Sequence, residues 1–174
     1  QTFSQLETYL FRVAGAVGLL CVPIFGYQHT SAQDMRCYAV ELGKAFQLTN
    51  ILRDVGQDLE KDRIYLPLED MEKCGCTVRQ LLNREFHDGF EKLVSMEFAR
   101  AKKFYVQARA RLHPQDARSM LPAEVMAHIY EELLEKIKSR GSLTSSEPLR
   151  VPLWQKGVLT AKAVAKSYLG VKLS

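Results

Sequence analysis

The chain has 174 residues, a mass of 19.8 kDa, 47% hydrophobic residues and 25% charged residues, which is the balance of a globular protein of about one domain. These values exclude a disordered tail, a collagen-like fibre and a low-complexity linker. Four cysteines are too few for a disulfide scaffold, and a net charge of +4 is too mild to signal a nucleic-acid partner.

Apolar residues recur with helical period almost throughout, and no stretch alternates long enough for a strand. The expected class is therefore all-α, with long helices packed as a bundle. The first helix is expected from about Ser4 to Val22, stopped by Pro23 and Gly26. No charged segment followed by an apolar one precedes it, so no signal peptide is read. The most apolar run, Val13 to Gly26, is shorter than the roughly 20 residues of a membrane span and contains Pro23.

A second helix is expected from an N-cap at Ser31 to about Lys61. Asp62 to Pro67 is a connector. Short helices over Leu68–Lys73 and, capped by Thr77, up to Leu82 flank the turn Cys74-Gly75-Cys76. A lone C-x-C is not a zinc pattern. Cys21 and Cys37 read as small buried hydrophobes, and the expected compartment is a reducing cytoplasm. A long helix from about Phe86 to Leu112 ends before Pro114. The next carries Pro122 in its first turn and stops at Gly141. Residues 142–153 read as a loop, and a last helix spans Leu153 to Leu169.

The second helix is the informative one. At about 100° per residue, Arg36, Gly43, Gln47, Asn50 and Asp58 all fall within about 40° of Asp54. Two carboxylates, two amides and a glycine thus share one face, flanked by Ala45, Phe46, Leu48, Ile51, Leu52 and Val55. Asp54 and Asp58 stand one turn apart, about 6 Å along the axis, and repel each other when unpaired. Mg²⁺ would resolve that conflict, because it takes oxygen ligands and commonly joins carboxylates to phosphate oxygens. Asn50 offers a neutral oxygen one turn earlier, and Gly43 leaves room for a ligand chain. A solvated acidic edge is the other reading of the same spacing. In the first helix, Ala14 and Gly18 share a face suited either to close helix packing or to a ligand.

Residues 150–174 carry Arg150, Lys156, Lys162, Lys166 and Lys172 and no acid. Trp154, Val158, Ala161, Ala165 and Tyr168 form one apolar stripe. Such a helix lies either at a membrane surface or against a bundle. The reading taken here is a docked helix with its lysines in water.

Three blocks in this order resemble the squalene/phytoene synthases, the head-to-head prenyltransferases. They are Tyr9-Leu10-Phe11-Arg12-Val13-Ala14-Gly15-Ala16-Val17-Gly18, then Gly43 through Asp58 (GKAFQLTNILRDVGQD), then Arg63-Ile64-Tyr65-Leu66-Pro67. The segment Pro122 to Tyr130 is similar as well. The resemblance spans nearly the whole chain and looks most like bacterial presqualene diphosphate synthases. It implies an all-α isoprenoid-synthase fold around a cavity that binds two prenyl diphosphates with Mg²⁺. It implies that Asn50, Asp54 and Asp58 ligate the metal and that Arg53 neutralises diphosphate charge. It makes Tyr65 and Tyr130 cavity tyrosines that steady a carbocation or place the leaving group. Tyr9, Val13, Val17 and Gly18 match positions along the prenyl channel, and Gly43, Gln47 and Asn50 match positions beside the diphosphate. No side-chain nucleophile is needed.

The expected reaction joins two farnesyl diphosphates into presqualene diphosphate. A phytoene synthase using geranylgeranyl diphosphate and a non-catalytic module of the same fold are the rivals. The family's first aspartate-rich motif has no counterpart before Tyr9, so residues 1–174 are expected to be the C-terminal portion of one domain. That portion is expected to be weakly active alone unless a second chain supplies the missing helices. Tyr9-Leu10-Phe11 stands where the family commonly has Tyr-Cys-Tyr, and Gln57 stands where an acid is frequent.

Overall fold

The structure, a computed structural model, describes residues 2–140 and 149–169, and among these there is no strand. The first helical run comprises α1 (Phe3–Leu10), a π-helical segment (Phe11–Gly15) and α2 (Ala16–Phe25). It continues through Pro23 instead of stopping there. Pro23 sits in an exposed last turn, where losing one N–H removes a single hydrogen bond. The helix ends at Gly26, whose φ of 77° only glycine adopts freely, and whose N–H donates to the Val22 carbonyl at 3.1 Å. The uninterrupted run Phe3–Phe25 is therefore long and apolar enough, by length and composition, to cross a membrane, although it packs in this fold against α3.

The central element is α3 (Ala32–Leu59), started by Ser31, whose hydroxyl accepts from the Asp34 N–H at 3.0 Å. It packs most extensively on α6 (Asp88–Arg111), and on the 11–15 segment, α2 and α7 (Leu121–Arg140). Leu48, Leu52, Leu93, Tyr105, Ala127 and Leu134 are fully enclosed at the heart of this bundle. Two short helices, α4 (Leu68–Lys73) and α5 (Val78–Leu82), cross one end, joined by the Cys74-Gly75-Cys76 turn. Burial pushes both thiols of that turn above the usual range, which keeps them protonated. A 3₁₀ turn at Pro114–Asp116 links α6 to α7. The expected stop at Gly141 and most of the 142–153 loop lie outside the described residues.

Glycines set the closest approach in the bundle. A Cβ on Gly43 would stand 2.7 Å from the Ala14 carbonyl oxygen and 2.8 Å from the Gly15 Cα; one on Gly18 would stand 2.6 Å from the Ala39 carbonyl oxygen. The small-residue face of the first helix is thus a seam against α3, and the space beside Gly43 is filled by backbone, not by a ligand chain.

The last helix, α8 (Leu153–Leu169), docks on α7, but with the face opposite to the one expected. Ala163 is buried, whereas Trp154, Val158, Ala161, Ala165 and Tyr168 all face solvent. The side of α8 turned to the bundle carries Gln155, Leu159 and Ala163, which leaves the larger stripe outward. Gln155 bridges α7 and α8, accepting from the Lys136 ammonium at 2.5 Å and donating to Glu132 at 2.6 Å.

Candidate active site

The first helical run borders two hollows, and Gln47, Asn50 and Asp54 line neither of them. The apolar one, about 280 Å³, is walled by Val13, Val17 and Gly18 on the first helical run, Gly43 and Phe46 on α3, and Met126 on α7. The polar one, about 630 Å³, is lined by Gln5, Thr8, Tyr9, Arg12, Arg63 and Tyr65. Asp58 borders a small crevice beside it together with Arg63 and Tyr65.

Arg53 and Asp54 form a two-pronged ion pair: Arg53 Nε donates to Asp54 Oδ1 at 2.7 Å and Nη2 donates to Oδ2 at 2.6 Å. The hydrogen bond to Asp54 is the largest cause raising the Arg53 pKa, and Tyr130 also acts on Arg53 through charge and a hydrogen bond. The Tyr130 ring meets Phe46 with centroids 4.9 Å apart. A continuous path therefore leads from the apolar wall through Phe46 and Tyr130 to Arg53 and Asp54.

Burial, and then the negative charge of Asp54, push the Asp58 carboxyl above the usual range, while Lys61 and Arg63 oppose the shift. One turn before Asp54, the Asn50 side chain donates to Gln47 Oε1 at 3.4 Å, while its own Oδ1 is buried and has no partner. A buried carbonyl oxygen without a donor costs about 1–3 kcal/mol. A hard cation would cancel both the repulsion at Asp58 and the vacancy at Asn50. The donor set is all oxygen, as Mg²⁺ requires, with coordination positions left for water and phosphate. Among the described residues no group of three or more His, Cys, Asp or Glu side chains could hold an ion alone. Any ion held here must share the amide or a ligand's oxygens.

Tyr9 and Tyr65 stack with centroids 5.4 Å apart. Burial and the neighbouring Tyr65 raise the Tyr9 pKa, and the Asp58 charge adds to the shift. The fold thus gathers Tyr9, Tyr65 and Asp58 on the polar side, and Val13, Val17, Gly18 and Gly43 on the apolar side. Arg36 shares the helical phase of Asp54 but stands about 27 Å before it on α3, exposed and outside the site. Sequence reasoning missed Arg12 and Arg63. Their signal was present: Arg12 follows Tyr9 by one helical turn, and Arg63 is two residues from Tyr65.

Comparisons with known proteins identify the family and the fold. The profile of the squalene/phytoene synthase family matches residues 1–155. A phytoene synthase of Arthrospira platensis is 36% identical over 168 residues, covering 89% of this chain and 53% of its own length. A phytoene synthase of Thermus thermophilus is 33% identical, covering 93% of this chain and 54% of its own. Among solved structures, a squalene synthase from Alicyclobacillus acidocaldarius superposes with a TM-score of 0.69 at 27% identity, over 81% of this chain and 52% of that one. A dehydrosqualene synthase in complex with ligand gives 0.68 at 29% identity, over 97% and 58%. The fold is therefore that of the all-α isoprenoid synthases. The chain belongs to the squalene/phytoene synthase family, and it spans about half the length of the curated relatives it matches.

Proposed function

We propose that this chain carries the metal–diphosphate half of a prenyltransferase that condenses two prenyl diphosphates head-to-head. The observation that carries the reading is the alignment of Asn50, Asp54 and Asp58 on one face of α3, with the Asn50 carbonyl oxygen buried and unpartnered and Asp58 bordering the crevice beside the polar hollow. Mg²⁺, when bound with the diphosphate, stabilises the charge that develops on the leaving group. Asp54, Asp58 and the free Asn50 oxygen fix where that group lies. Arg53 stands beside them, and Arg12 and Arg63 line the polar hollow, to balance phosphate charge. The apolar hollow excludes water from the prenyl chain, and Tyr9, Tyr65, Tyr130 and Phe46 offer aromatic faces to an allylic cation.

The proposed substrate is farnesyl diphosphate and the proposed product presqualene diphosphate. The superposing structures are a squalene synthase and a dehydrosqualene synthase, which favours this chain length. The curated relatives are phytoene synthases, which favours the longer geranylgeranyl diphosphate as the second reading. The test is Mg²⁺-dependent binding of the thio-diphosphate analogues of both substrates. Saturable binding that needs Mg²⁺, and is lost in Asp54→Ala, supports a prenyltransferase, and the tighter analogue assigns the chain length. Metal-independent binding, or binding indifferent to Asp54→Ala, leaves a non-catalytic module as the account.

A further inference from the structure

Helix α8 presents an apolar stripe that no other described element covers. Trp154 is 72% exposed, Val158 46% and Tyr168 63%. At about 100° per residue, Val158, Ala161, Ala165 and Tyr168 lie within about 40° of Trp154, while Ala163, the buried contact with the bundle, lies about 180° away. The stripe thus points straight out from the protein. Its flanks are cationic. Lys162 stands exposed about 80° to one side. On the other side the Arg118 guanidinium lies 4.6 Å from the centre of the Tyr168 ring and donates to its hydroxyl at 3.2 Å. Residues 150–174 contain no acid.

We propose that this face of α8 is a peripheral docking surface for an anionic lipid bilayer. The chemistry of each part fits that occupant. Trp and Tyr partition to the boundary between headgroups and acyl chains, where an apolar ring and a polar edge are both satisfied. Small Val and Ala residues between them let the helix lie flat. Lys162 and Arg118 reach headgroup phosphates while their stems stay on apolar surface. A second copy of this chain fits less well, because two such faces would bring Lys162 and Arg118 against their own equivalents. The inference rests on exposure and charge alone and stands independently of the proposed reaction.

Trp154 is the only tryptophan in the chain, so its emission reports the contact directly. The 174-residue protein is titrated with vesicles of phosphatidylcholine alone and with vesicles containing phosphatidylglycerol. The expected result is a blue shift and co-sedimentation with the anionic vesicles, at least about tenfold stronger than with neutral ones, and weakened by salt. A Val158→Ser/Tyr168→Ser variant, which changes only exposed positions and keeps the probe, should lose most of the binding while retaining its helical circular dichroism. Ile24→Ser, on the exposed face of α2, should bind as the parent does. The proposal is overturned if no anionic-vesicle binding occurs, or if Ile24→Ser rather than the α8 variant abolishes it. It is equally overturned if sedimentation velocity without lipid shows a dimer that produces the same Trp154 shift.

Discussion

Arg53 closes both arms of its donor fork on the carboxylate of Asp54, its neighbour in sequence. The side chains of both residues are about a quarter exposed. Without ligand, this pair neutralises the carboxylate that metal chemistry would need, so Arg53 competes with a bare cation and cooperates with a cation–diphosphate complex. Arg53→Gln should therefore bind Mg²⁺ alone about two- to fivefold more tightly, the range of a partly exposed ion pair. It should bind Mg²⁺–pyrophosphate more weakly than the parent. Calorimetric titration with each ligand measures both signs. Weaker binding of Mg²⁺ alone would show that Arg53 does not hold Asp54 away from the metal.

The helices and the polar face of α3 were legible because period and spacing are local properties. Asn50, Asp54 and Asp58 share a face for any straight helix, whatever packs around it. The two hollows were not legible, because the apolar one depends on how closely α3 meets the first helical run, which Gly18 and Gly43 decide through contacts 21 to 29 residues away in sequence, and the polar one on residues 63–65 folding back against Tyr9 and Arg12. The outward stripe of α8 was misread for a related reason. An apolar stripe normally marks the buried face, yet here Gln155, Leu159 and Ala163 take that role, and Trp154 and Tyr168 are left outside. Pro23 misled at the helix end because a proline in an exposed last turn removes so little.

Gly43 and Gly157 should respond in opposite directions to the same substitution. A Cβ at position 43 meets helical backbone at 2.7 Å, which cannot swing aside, so Gly43→Ala should destabilise by about 1–3 kcal/mol. Gly157 lies within α8, where a Cβ meets nothing within 4 Å, so Gly157→Ala should stabilise by about 0.5–1 kcal/mol through helix propensity. Urea unfolding of the two variants beside the parent gives both values. Equal effects would mean that the seam between α3 and the first helical run is not as tight as described.

Asp116 is the clasp between two chain reversals. Its carboxylate accepts the N–H groups of Gln28, His29 and Thr30 and the Thr30 hydroxyl, and that hydroxyl in turn accepts from the His113 N–H at 3.0 Å. These bonds, outweighing burial, hold the acid down at about 2, below its usual 3.8. A depressed acid contributes stability above its unfolded pKa and loses it as pH falls through the folded one. The clasp should therefore loosen between about pH 4 and pH 2. Asp116→Asn should cost about 2–4 kcal/mol at neutral pH, since an amide turns donors toward donors, and should remove this part of the acid dependence. Thermal melts across that window would show the two curves converging.

Glu97 carries the opposite sign. It is fully buried on α6, where its Oε1 accepts from Arg100 at 2.6 Å and its Oε2 has no partner. Arg100 also binds the buried carboxylate of Asp70, and Lys73 donates to that carboxylate at 3.1 Å. Burial, reinforced by the Asp70 charge and opposed by Arg100, pushes Glu97 up to about 7 from 4.5. An acid raised on folding keeps its full contribution below its unfolded pKa and loses it as pH rises through the folded one. The native state should therefore weaken steadily between about pH 5 and pH 8, by at most about 3 kcal/mol, the value of the shift at 1.36 kcal/mol per unit. Glu97→Gln keeps the Oε1 acceptor for Arg100 and cannot ionise. Its melting temperature should stay level across that range, crossing above the parent's on the alkaline side. A parent curve that is already flat from pH 5 to 8 would place the Glu97 proton elsewhere and make the Asp70–Arg100–Glu97 cluster a permanently ionised brace between α4 and α6.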